Sequence, residues 1–457
     1  MMRLRKIYTL TALLAIGLWS CESILENELP STEIAFEDGL VTEADYQEFL
    51  NAAYDVMANA QGGNAQKFAE VLGEDVFMEG NTGFLLQVYN RASDFFNGDI
   101  GGYYSQPYFA ITRANILLET IGDKAFSDEV KNRMRGEALA IRAISHFELV
   151  RLFAQPYGYT TDNGHLGIVL RTRSEPVAQD RASVGEVYEQ IIADLREAID
   201  LLPEENGAYL NQYAARGYLA RVYFLQNDFA NALDQAQAVI NSGAYTLAED
   251  VNSRYPVDAV PQEALFYTVS TGLEDNRSGT LRGLFCSSCG VPLIKASAEY
   301  YALLQQEPSD QRLQWVTEIS EGGSTFLGFT KYEPEYFNVT QISLTELYLM
   351  AAECLAELGR DLETAAGYVN AIKQRANVTL LPTPTSAALI IQQARLERRK
   401  EFAAEGINVF DLKRRGALGE DVEIRGVPWD CDGMVLQFPA SEITVEGFEL
   451  NPEGGCN

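Results

Sequence analysis

The chain has 457 residues, 47% of them hydrophobic and 22% charged, a composition that supports a sizeable folded core. Its 65 acidic residues against 35 basic give a formal net charge of -30, which repels phosphate backbones and anionic headgroups and so argues against a nucleic-acid partner. Only two histidines occur, His146 and His165, which removes most zinc, haem and Ser-His-Asp arrangements.

Arg3, Arg5 and Lys6 precede an apolar stretch from Ile7 to Trp19, the basic and hydrophobic parts of a secretory signal. The stretch is shorter than the roughly 20 residues that a permanent span requires. It ends in Leu18-Trp19-Ser20-Cys21, which resembles a bacterial lipoprotein processing site with Cys21 as the acylated first residue. The expected organisation is a leader over 1–20, an acylated tether carrying Glu22, Glu26 and Glu28 over 21–40, and a single domain over 41–457. Attachment to the membrane would then be through lipid alone, and lasting attachment requires more than one chain.

Apolar periodicity predicts helices over 43–57, 110–121, 128–153, 184–202 and 387–406, with a long loop over 75–105 and an irregular stretch over 155–182. Residues 214–240 read as two packed helices with Asp228 as the N-cap between them. The pattern Leu225, Phe229, Ala232, Ala236, Val239 recurs as Leu358, Leu362, Ala365, Val369, Ile372, with Asp361 in the place of Asp228. Such small residues let helices stack as tetratricopeptide-like pairs. The predicted fold class is therefore mainly α, with helical pairs at about 110–153, 184–242 and 343–375, a few short strands, and a loop-rich insert at about 245–336 holding a strand near 264–269.

Helix 128–153 is apolar on nearly every face, so it should be central. Within it Arg133 can pair with Glu137, and Glu148 with Arg151. Arg142 has no such neighbour, so a carboxylate from another segment is expected to meet it. The expected source is helix 387–406, where Glu397, Glu401 and Glu405 line one face and would also pair with that helix's own arginines. A carboxylate metal bundle would need a Glu-x-x-His partner that is missing, so no metal and no cofactor are expected.

Five cysteines follow the anchor, an odd number. Cys354 falls in an apolar helical run and reads as a buried thiol. An oxidising compartment favours Cys431 with Cys456 closing the tail and Cys286 with Cys289 pinning a loop.

The helix ending Leu149-Val150-Arg151-Leu152-Phe153 and the stretch from Glu397 to Phe410-Asp411-Leu412-Lys413 resemble signature regions of SusD/RagB-type proteins. So do Lys331-Tyr332 before 346–353, Phe438-Pro439-Ala440-Ser441 near the end, and Asn51-Ala52-Ala53-Tyr54-Asp55 after the lipoprotein start. The resemblance implies a binding protein and no catalytic residues. It implies an outer-membrane location, lipid-anchored and facing the cell exterior, and the partners of such proteins: an oligosaccharide, or in a RagB-like member a peptide, and a SusC-like TonB-dependent transporter that the protein covers as a lid. Sugar capture needs ring faces beside amides and carboxylates. On that basis Asn81, Phe84, Tyr89, Tyr103 and Tyr104 in the 75–105 loop, and Phe285 in the insert, are the expected ligand contacts. Two other readings compete: a glycoside hydrolase with paired carboxylates, and a tetratricopeptide scaffold binding only proteins through a concave groove.

Overall fold

In the computed structural model the described residues are 39–80, 83–175, 177–256, 259–273, 276–453 and 455–456. The leader, Cys21, the tether as far as residue 38, and Asn81 lie outside them. The chain divides into two compact units, 1–46 and 47–457. In the first, the Thr42 hydroxyl accepts the Asp45 N–H at 3.2 Å while the Asp45 carboxylate accepts the Thr42 N–H at 2.7 Å, a reciprocal cap at a helix start.

The helices in chain order are α1 (Glu43–Gln61), α2 (Asn64–Leu72), α3 (Phe84–Tyr89), α4 (Gly98–Thr120), α5 (Asp128–Phe153), α6 (Val184–Leu201), α7 (Gln212–Leu225), α8 (Phe229–Ile240), α9 (Gly279–Phe285), α10 (Ala298–Gln305), α11 (Leu344–Glu357), α12 (Leu362–Arg375), α13 (Ala387–Phe402) and α14 (Asn408–Ala417). From α4 to α8 each helix packs on the next; α8 then packs on α11, and α11 on both α12 and α13. The insert between α8 and α11 therefore interrupts the sequence of the stack without interrupting the stack. At its centre, every residue of α5 from Gly136 to Phe153 except Arg151 is buried, and a side chain at Gly136 would meet Leu202 at 2.9 Å.

The repeated pattern corresponds to the pairs α7–α8 and α11–α12. Asp228 and Asp361 cap the second helix of each pair, accepting the N–H of Asn231 at 3.2 Å and of Thr364 at 3.1 Å. Ala232 and Ala365 are buried at the helix contacts, where a larger side chain would hold the helices apart. The expected loop over 75–105 is shorter than predicted, because α4 begins at Gly98. Gly101, Gly102 and Pro107 are poor helix formers, yet the Asn97 side chain accepts the Ile100 N–H at 3.1 Å and packing on α5 outweighs local propensity.

Short strands form antiparallel pairs: β1 (Val76–Phe77), β2 (Leu166–Val169), β3 (Arg181–Ser183), β4 (Ala264–Thr268), β5 (Lys295–Ala296), β6 (Val316–Glu321), β7 (Ser324–Phe329), β8 (Val339–Ser343), β9 (Glu423–Ile424) and β10 (Val427–Pro428). β1 pairs with β5, β2 with β3, β4 with β8, β6 with β7 and β9 with β10. In the irregular segments Cys286 is bonded to Cys289 and Cys431 to Cys456, while Cys354 is a buried free thiol.

A lattice of buried charge lies beneath α13. Glu397 meets Arg312 at 2.7 Å and Lys373 at 3.3 Å; Glu401 meets Arg375 at 2.7 Å, Arg312 at 3.0 Å and Arg254 at 3.1 Å. Glu263 closes the set on Arg254 at 2.7 Å and Arg375 at 2.8 Å. Burial alone would raise the Glu401 carboxyl, but Arg375, Arg312, Arg254 and Lys331 hold it down to about 2.

The expected pairing of Arg142 with Glu397 and Glu401 is thereby corrected. A carboxylate from another segment does meet Arg142, but it is Asp194 of α6, through Nε at 2.7 Å and Nη2 at 2.6 Å, with Asn115 accepting from Nη1 at 2.9 Å. The reason is packing order: α6 lies on α5 and presents Asp194 there, whereas α13 lies on α11 and α12. The arginines of α13 itself also turn away from Glu397 and Glu401. Arg395 pairs with Glu353, Arg398 with Asp411 and Arg399 with Asp75.

Candidate functional site

Two irregular parts of the sequence meet in space. Val76 lies opposite Ala296 and Phe77 opposite Lys295 in the β1–β5 pair, and the β6–β7 hairpin packs on β5. That hairpin turns at Gly322 (φ 60) and Gly323 (φ 87), consecutive left-handed residues that glycine adopts without strain and that match the twist of the strands. Between these strands, α13 and the β9–β10 turn lies a cleft of about 750 Å³, within the size range of small-molecule sites.

Its walls combine ring faces with fixed charges. Phe77 is 42% exposed, and Tyr89 and Phe326 are half-buried. Lys295 Nζ lies 4.9 Å from the Phe326 ring centre and 3.3 Å from a Glu79 oxygen. Arg399 donates to Glu74 at 2.8 Å and Asp75 at 2.7 Å. Burial raises the Asp75 carboxyl, against the pull of Arg399, to about 6. Arg425 lies 4.0 Å from the Tyr89 ring centre, and its Nη2 donates to the carbonyls of Tyr89 at 2.7 Å and Val71 at 2.9 Å. Apolar faces set among hydrogen-bonding groups are what a pyranose ring requires of a binding site.

Of the residues expected to contact ligand, Tyr89 lines this cleft. Phe84 is 46% exposed but packs beside Gly98, outside the lining. Tyr103, Tyr104 and Phe285 require correction, because all three are buried and offer no ring face to a ligand. Tyr103 packs on Phe68 and Phe153, and Tyr104 on Phe153 and Phe438, because both lie in α4 and not in a loop. Phe285 packs on Phe329 and Tyr332.

Sequence reasoning missed Lys295, Phe326, Arg399 and Arg425. The alternation of Ser-Thr-Phe-Leu-Gly-Phe in β7 could have flagged Phe326. Arg425 gave no signal: it sits at φ 50 in the tight β9–β10 turn, and its role depends on a contact with Tyr89 far away in sequence. A second hollow of about 360 Å³, lined by Tyr54, Tyr209 and Tyr267, is a weaker candidate because its cation, Arg277, is already neutralised by Asp55. Among the described residues, no group of three or more His, Cys, Asp or Glu side chains is placed to hold a metal ion, and no helix is long and apolar enough to cross a membrane.

Comparison with known proteins places this geometry in context. Residues 26–224 match a family described as starch-binding and associating with the outer membrane, and residues 331–428 match the SusD family. SusD-like protein P2 of Formosa agariphila is 26% identical, over 90% of either chain. A SusD superfamily structure from Bacteroides thetaiotaomicron superimposes with a TM-score of 0.80 at 26% identity, covering 90% of this chain and 100% of its own. A laminarin-binding SusD-like protein shares the fold at 22% identity, with a TM-score of 0.72 over 90% of this chain and 99% of its own.

Proposed function

The chain belongs to the SusD/RagB family, and on that premise we propose that it captures an oligosaccharide in the cleft between β1, β5 and the β6–β7 hairpin. Held at the outer membrane by lipid on Cys21, it passes that ligand to a SusC-like TonB-dependent transporter, over which it acts as a lid. The observation that carries the reading is the convergence of Phe77, Tyr89 and Phe326 with Lys295, Arg399 and Arg425 in one open cleft on a helical scaffold. The sugar-binding relatives of the same fold support it.

Affinity electrophoresis of the purified chain, in gels cast with neutral or acidic polysaccharides, tests the capture step. At least one polysaccharide should retard the chain, Phe77→Ala and Phe326→Ala should run free, and no reducing ends should accumulate. Retardation by none of them, or steady release of reducing ends, would overturn the reading. The transport step predicts that a barrel protein co-purifies from detergent-solubilised outer membranes.

A further inference from the structure

The cationic residues of the cleft are not equivalent. Lys295 is met by Glu79, and Arg399 by Glu74 and Asp75. Arg425 has no carboxylate at ion-pairing distance among the described residues. Its Nη2 is used by two backbone carbonyls, its Nε is enclosed without a partner, its Nη1 makes no hydrogen bond, and the residue lines the cleft. A second guanidinium, close enough for Arg425 to act on it, is in a similar condition. Arg91 is buried, with only a long 3.5 Å contact to the Leu72 carbonyl, and no carboxylate pairs with it among the described residues. The Tyr89 ring fixes the plane of Arg425, so the group is held at the wall instead of swinging into solvent.

Positive charges without ion-pair partners are costly to enclose unless something arrives to meet them. Their placement is the more informative in a chain whose formal net charge is -30, where carboxylates to pair with them are plentiful. We propose that the cleft selects sugar rings bearing a negative charge, a uronate carboxylate or a sulfate ester, with Arg425 as the group that recognises it. Resting on the glycan-capture reading above, the inference names the class of glycan. A planar guanidinium with a free edge forms charge-assisted hydrogen bonds with either anion, while Phe77 supplies the ring face. Burial pushes the Arg425 guanidinium below the ordinary arginine value, and Arg91 is lowered to about 10 by burial and by Arg425, as befits cations awaiting a counter-charge. Glu299, exposed at the same cleft, sets a limit: it should repel the anion weakly.

The test uses the full chain in gels containing laminarin or xylan as neutral polymers, alginate or polygalacturonate as carboxylated ones, and carrageenan as the sulfated one. The formal net charge of -30 opposes non-specific binding of a polyanion, so retardation by an acidic gel that Arg425→Gln removes marks a built site. The expected result is retardation at least about tenfold stronger in one acidic gel than in any neutral gel, weakening as salt is added. Arg425→Gln should remove that preference, Arg425→Lys should keep part of it, and Glu299→Gln should strengthen it slightly. Thermal melts of the variants separate a lost charge from a lost fold. Carboxylated and sulfated gels distinguish the two sources of charge. Equal retardation in neutral gels, or unchanged acidic retardation of Arg425→Gln, overturns the charge preference while leaving glycan capture standing; failure in every gel overturns both.

Discussion

The lattice beneath α13 and Arg425 in the wall of the cleft show arginine under opposite conditions. In the lattice, Arg254, Arg312 and Arg375 share Glu263, Glu397 and Glu401 so that every guanidinium has at least two carboxylate partners, counting Asp310 for Arg312. Arg425 at the cleft, and Arg91, have none among the described residues, only backbone carbonyls. The contrast separates two uses of the same side chain. Mutual satisfaction fixes how α13 sits on the segment carrying Arg312 and on α12, whereas an unmet charge is of use only to something that comes from outside.

If that contrast is right, the lattice should fail severely when one carboxylate is removed. Glu401→Ala leaves Arg254, Arg312 and Arg375 each short of a partner, and unfolding in urea should show a loss of about 3–5 kcal/mol. A loss below about 1 kcal/mol would mean that water reaches these groups and that the lattice is not closed. Next in size is Arg142→Ala, which strands the buried Asp194 and should cost about 3 kcal/mol. Its effect should add to that of Glu397→Gln within about 0.5 kcal/mol, because the two belong to separate networks. Strong coupling would restore the α5–α13 pairing that the sequence suggested.

Acid unfolding sharpens the comparison further. Burial and the neighbouring Arg142 push the His146 imidazole down to about 3, from an ordinary 6.5, and its Nε2 accepts the Arg171 N–H at 3.2 Å. Since the unfolded chain takes up this proton and the folded chain refuses it, the contribution of His146 is full above pH 6.5 and is lost as the pH drops towards 3, while the raised carboxyls of Glu70 and Asp75, at about 8 and about 6, act in the opposite direction. The slope from this residue approaches about 1.4 kcal/mol per pH unit. His165, lowered by burial, adds to the same limb. Glu401 acts later: with its carboxyl held at about 2 against an ordinary 4.5, its contribution is present above 4.5 and is lost between there and 2. The stability difference between the wild type and His146→Gln should shift against the wild type by about 1.4 kcal/mol per pH unit as the pH falls below 6.5 towards 3, as urea titrations at fixed pH would record.

How legible all this was in the sequence depends on range. Helix α5 was readable to its last residue, because its apolar run is local, and the structure adds Ser127 as its N-cap. Asp228 and Asp361 announced the repeated pairs for the same reason. Tyr103 and Tyr104 misled because neighbouring glycines looked like loop, while the contacts that make them helical and buried come from Phe68, Phe153 and Phe438. Arg142 was rightly expected to need a carboxylate from elsewhere, but several segments offered one and only packing order chose Asp194. The cleft was the least legible, since it exists only where β1 and β5 pair across a separation that no local pattern encodes.

The smallest effect on stability is expected where the effect on ligand is largest. Phe77 sits on a two-residue strand with 42% of its surface exposed, so Phe77→Ala removes only part of a ring's buried area and should cost no more than about 2 kcal/mol. The same change removes a ring face from the cleft and should abolish retardation in whichever polysaccharide gel holds the wild-type chain. Glu401→Ala should show the reverse ranking, with a large loss of stability and, in the fraction that remains folded, an unchanged preference among gels. Should Phe77→Ala instead melt far below the wild type, its ring would be part of the packing that joins β1 to β5, and the division between scaffold and cleft would have to be drawn elsewhere.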